Sequence, residues 1–140
     1  MAASIRHTFG GRIADVVIAC SDTDVQPKPP WRARKEAYLA HLATAPREVL
    51  LVSCCDKVHN ARATAIELYE KGPDFWLGTN GAAGFNAGPA EQVWYDKQLA
   101  GVFSERLGQD AVLAPLTREL GRVVDTIERL AAGATGHTRR

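Results

Sequence analysis

A chain of 140 residues is the size of one ordinary domain, and 46% apolar residues suffice for a buried core. The 17 Lys and Arg nearly balance the 16 Asp and Glu, and a net charge of +1 gives no electrostatic reason to expect nucleic acid or a membrane surface as partner. No window approaches the ~18 apolar residues of a membrane span, and "MAASIRHTFGGR" does not read as a secretory signal, so a cytoplasmic protein is expected.

The first periodic segment is "FGGRIADVVIACSDT", where Ile13, Val16, Val17 and Cys20 recur at helical spacing and predict one apolar face. The prolines of "DTDVQPKPP" stop it in a loop or turn. "WRARKEAYLAHLATA" resumes a helical pattern, with Ala37, Tyr38, His41 and Leu42 on one side. Pro46 suits the first turn of the longest predicted helix, "REVLLVSCCDKVHNARATAIELYEKG", which Gly72 suits as a C-terminal cap. "PDFWLGTNGAAGFNAGP" has no period and lacks the glycine spacing of a phosphate-binding fingerprint, so it reads as a loop. "AEQVWYDKQLAGVFSERLG" is helical, with Val93, Trp94, Gln98 (or Lys97), Val102 and Leu107 as its expected inner face. In the last helix, Leu113, Leu116, Leu120, Val123, Val124, Ile127 and Leu130 form a stripe, and Pro115 fits the first turn. These elements predict an all-α fold of about five helices in one domain, residues 1–132, followed by a flexible tail, 133–140.

Three cysteines, Cys20, Cys54 and Cys55, make neither a disulfide framework nor a zinc motif, and read as reduced thiols. Five polar residues follow "EVLLVS" closely in "SCCDKVHNARA". Asp56 and Asn60 lie four apart on one helical face with His59 beside them, Lys57 lies toward another side, and Arg62 follows Asn60 by two. Val49, Leu50, Leu51 and Val52 are apolar on all sides, so this helix is expected to run through the middle of the fold and to leave Asp56 at least half-buried. Such a carboxylate needs a cation, hydrogen-bond donors or a metal. The residues alone leave two readings open: Asp56 pairs with Lys57 or Arg62 while Asn60 caps a neighbouring helix, or the groups converge on a site.

"DKVHNARA" resembles the "DRLHN-R" signature of HD-domain metal-dependent phosphohydrolases, most nearly the guanosine polyphosphate (ppGpp) hydrolase domain of RelA/SpoT-like stringent-response enzymes. The flanks "FGGRIADVVIACSDTD", "PPWRARKEAYLAHLATAPREVLLVS" and "AGPAEQVWYDKQLAGVFSERL" extend the resemblance over most of residues 9–107. It implies an all-α HD bundle around one divalent ion, most often manganese, held by a His, an adjacent His-Asp pair and a distant Asp. Asp56 is implied as that distant Asp, and Asn60 and Arg62 as contacts to a phosphorylated nucleotide. Lys57 stands where the family has Arg or Lys and is implied as a further substrate contact, whereas Ala63 stands where the hydrolases often have Thr. Lys28, Arg32, Arg34 and Lys35 of "PKPPWRARK" read either as a phosphate-binding rim, Arg34 and Lys35 foremost, or as a solvated helix face.

No His-Asp dipeptide occurs in the sequence. The chain therefore resembles the second part of an HD domain, beginning after the metal motif. One carboxylate replaces only one water of a divalent ion, so no residue is assigned a catalytic role and little hydrolysis is expected from this chain alone. Missing helices would expose apolar surface, which a homodimer or a partner chain carrying the missing half would cover. Two functions follow: a phosphohydrolase-lineage protein incomplete as a single chain, or a degenerate helical module that binds a nucleotide or another protein.

Overall fold

The computed structural model describes residues 2–21, 27–77 and 87–135. Among these residues the fold is all-α: α1 (Ala2–Phe9), α2 (Gly11–Cys20), α3 (Trp31–Thr44), α4 (Arg47–Lys71), α5 (Pro89–Leu107) and α6 (Ala114–Thr135), with a short 3-10 helix over Gly72–Leu77. The sequence predicted five of the six α-helices. It missed α1, which has no apolar period and whose backbone turns into α2 at Gly10. There φ is +87°, a conformation that L side chains rarely adopt. No helix among the described residues is long and apolar enough to cross a membrane.

The chain divides into two compact units, Met1–Ser53 and Cys54–Arg140, with the boundary inside α4. The first holds α1, α2, α3 and the start of α4. Its core is Ala14, Leu42, Ala45, Val49 and Leu50. In α2 the expected apolar face is not the buried one: Ile13 and Val17 are exposed, Val16 and Cys20 are half-buried, and the small Ala14 sits in the core. In α3, Leu42 is buried and Tyr38 half-buried, but Ala37 and His41 are exposed.

The second unit is organised around the packed pair α5 and α6. The buried face of α5 is Tyr95, Leu99, Phe103 and Leu107, each one turn after the last. The expected face shared only Leu107. It took its phase from Val93 and Trp94, which are half-buried beside the true face, while Lys97 and Gln98 are exposed. The stripe on α6 was predicted more closely: Leu113, Leu120, Val124 and Ile127 are buried, and Leu116, Val123 and Leu130 flank them half-buried.

Local chemistry sets the helix ends. Asp110 Oδ1 accepts from the backbone N–H groups of Val112 (2.9 Å) and Leu113 (3.0 Å), satisfying donors ahead of α6, and Pro115 falls in its first turn. Pro46 precedes α4 rather than opening it, and its carbonyl accepts from Leu50 N at 3.1 Å. Gly72 terminates α4 with φ of +59°, as its position predicted. The 3-10 helix occupies the start of the segment read as a loop and packs on α6, while residues 78–86 lie outside the described residues. Helix α6 continues through Thr135, past the expected boundary of the tail, of which 136–140 lie outside the described residues.

Candidate functional site

The outward side of α4 positions the central polar residues. Cys54, Val58, Ala61 and Leu68 are buried at helical spacing and define its inner seam. Val52, Asp56 and Asn60, each one turn apart, are all exposed. The Asp56 side chain is 54% exposed, which corrects the expectation that it is at least half-buried. The physical reason is phase: the all-round apolar run ends at Val52, itself in solvent, and Asp56 follows Val52 by one turn.

Asp56, Lys57 and Asn60 do come together. Lys57 Nζ lies 2.9 Å from Asp56 Oδ2, and Asn60 Nδ2 donates to the same oxygen at 3.4 Å. Lys57 is the less exposed partner at 23%, its stem covered while the ammonium reaches the carboxylate. His59 is exposed on the same side of the helix. The arrangement neutralises Asp56 locally through Lys57, while Asn60 turns to Asp56 and Arg62 to Glu119. In so exposed a setting the pair contributes at most about 1 kcal/mol.

Arg62 is engaged elsewhere. Its Nε and Nη2 donate to Glu119 Oε1 on α6, at 3.2 and 2.9 Å, and Arg122 Nη2 donates to Glu119 Oε2 at 3.1 Å. Hydrogen bonds from Arg62, then from Arg122, hold the Glu119 carboxyl below the usual carboxylate range. A guanidinium has five donors, so the two spent on Glu119 leave others for an anion. Sequence reasoning missed Glu119, which lies 57 residues from Arg62 with no local pattern to connect them.

Arg34 and Lys35 belong to the unit Met1–Ser53 and make local contacts there. Arg34 Nε donates to the Pro29 carbonyl at 3.2 Å, and Lys35 Nζ lies 5.9 Å from the Trp31 ring centroid. Arg32 pairs with Glu36 one turn along at 2.8 Å, the pattern of a solvated helix face. The same unit holds a network that the sequence did not reveal. Tyr38 Oη donates to the buried Ser53 Oγ at 3.0 Å, and Cys20 Sγ lies 3.5 Å from that oxygen. All three cysteines are free thiols. Burial, then the neighbouring Cys55, pushes the Cys54 thiol up to about 12, so it stays a neutral packing group.

The divalent ion that the resemblance implies requires several donors around one point. Among the described residues no three His, Cys, Asp or Glu side chains are grouped to hold a metal, and Asp56 Oδ2 already faces a lysine. The described residues do not by themselves bring a ligand set together around Asp56. Among the described residues, one surface groove is lined by α2 and the start of α4, and another by Ile66 and Tyr69 of α4 with Thr126 and Leu130 of α6. Neither is lined by Asp56, Lys57, Asn60, Arg62, Arg34 or Lys35.

No protein-family model matches the chain, and no curated protein matches it. Among solved structures it resembles the 1.85 Å crystal structure of lmo0812 from Listeria monocytogenes EGD-e, with a TM-score of 0.76 and 24% identity, over 92% of this chain and 77% of that one. The likeness establishes a shared all-α fold.

Proposed function

We propose that this chain is a cytoplasmic HD-type phosphohydrolase-like protein of the guanosine polyphosphate hydrolase lineage, incomplete for hydrolysis as a single chain. The observation that carries the reading is the state of Asp56. The "DKVHNARA" segment keeps Asp56 and Asn60 one turn apart, yet the carboxylate is neutralised by Lys57 instead of standing among other ligands. Two further residues support a phosphorylated nucleotide as ligand. Asn60 is exposed beside Asp56, and Arg62 has donors beyond those given to Glu119. Manganese binding and hydrolysis would then require a partner chain that supplies the remaining ligands.

A second reading, a non-catalytic nucleotide-binding or protein-interaction module, is favoured by the open apolar groove of the first unit. Guanosine tetraphosphate, offered to the purified chain with manganese, separates the readings. The expected result is binding without pyrophosphate release, with binding weakened about tenfold by Arg62→Ala through loss of a charge-assisted contact. Turnover by the chain alone would contradict incompleteness. Absence of binding would remove the nucleotide and leave the protein-interaction module.

A further inference from the structure

Helix α2 buries only Ala14, although most of its residues are apolar. Its Ile13, Val16, Val17 and Cys20 form one wall of an open groove of about 580 Å³, and Leu51 and Val52 of α4 form the other. Ile13 is 51% exposed, Val17 37% and Val52 45%, so the groove mouth is apolar surface in water. Arg12 and Glu48 also line it, one from each helix, joined by a 2.6 Å ion pair and both well exposed. The surface thus offers a ridge, Ile13 and Val17 one turn apart, next to a groove that can receive such a ridge. It also carries one cationic and one anionic group side by side.

That combination is self-complementary. A strongly acidic or basic partner would match only one of the two charges and repel the other. A second copy related by a two-fold axis matches both, because an isologous contact pairs each feature with its complement on the same patch. The net charge of +1 puts no long-range repulsion between copies. We propose that the chain forms a two-fold homodimer through this groove, with the Ile13–Val17 ridge of each copy seated between α2 and α4 of the other, and each Arg12 paired with Glu48 of the partner subunit. Glu48 remains ionised for this role: a hydrogen bond from its own backbone N–H, then Arg12, holds its carboxyl below the ordinary range. The proposal does not rest on the nucleotide reading.

Sedimentation equilibrium of the full chain over micromolar concentrations tests it. The wild type is expected to associate as a dimer, and Ile13→Asp to weaken association at least about tenfold by placing a charge in a desolvated contact. Circular dichroism checks that this exposed substitution keeps the helical signal. Arg12→Glu and Glu48→Arg are each expected to weaken the dimer, and an equimolar mixture of the two to restore it. Mixing re-forms the pairs between copies while leaving the pair within each copy broken, which a purely intramolecular role would not reproduce. A wild type that stays monomeric, a dimer indifferent to Ile13→Asp, or a mixture that fails to associate would overturn the proposal. If Ile13→Asp lost helicity, the mixture alone would decide.

Discussion

Helices α2 and α5 both carry four apolar side chains at helical spacing, yet they treat them differently. In α5, Tyr95, Leu99, Phe103 and Leu107 are all at most 5% exposed, and α6 is its packing partner. In α2, Ile13 and Val17 remain in solvent, and the buried position is Ala14. The same periodicity therefore announces an apolar face in both helices without saying what covers it. A short connection through Gly108 and the Asp110 cap brings α6 onto α5 within the unit Cys54–Arg140. Within Met1–Ser53, α2 lines an open groove with the start of α4.

The contrast can be broken most sharply in the α5 core. Phe103→Ala removes a fully buried ring and is expected to cost about 3–5 kcal/mol in urea unfolding. Ile13→Ser, read by the same method on monomer at low concentration, is expected to change stability by no more than about 0.5 kcal/mol, since the side chain already contacts water. Equal losses would mean that α2 is as well covered as α5.

An intermediate effect is expected at the hinge of the α5–α6 pair. Asp110→Ala frees the N–H groups of Val112 and Leu113 and should cost about 0.5–2 kcal/mol in thermal or urea unfolding. The smallest effect is electrostatic. The carboxyl of Glu119 titrates below its unfolded value of 4.5, so its contribution to stability is present above pH 4.5 and is lost as the pH falls through the lower folded value. Unfolding followed as the pH falls through and below 4.5 should show a shallower acid loss in Arg62→Ala than in wild type. An unchanged slope would mean that the Arg62–Glu119 pair is not maintained in solution.

Much of the architecture was legible because long helices declare themselves by period and punctuation. The α6 stripe, the left-handed Gly72 after α4 and Pro115 at the start of α6 all follow from local rules. Facial phase was harder. Bulky Val93 and Trp94 mark α5 as apolar one residue away from the face that is buried, and Ile13 and Val17 outweigh the small Ala14 that enters the core. At the candidate site, the Asp56–Asn60 neighbourhood was legible from spacing on one helix, whereas Lys57, assigned by spacing to another side, was named only as one possible ion-pair partner of Asp56. The exposure of Asp56 was not, because an apolar run says nothing about where its burial ends. The Glu119 partner of Arg62 was also hidden, since it arises from a tertiary approach between α4 and α6.

The central question is whether Asp56, neutralised by Lys57, can act as a metal ligand in this chain. Calorimetric titration of manganese into the purified protein, wild type against Asp56→Ala, asks this directly. No saturable binding in either protein is the predicted result. Micromolar binding to the wild type that vanishes in Asp56→Ala would contradict it and show that the chain assembles a working metal site.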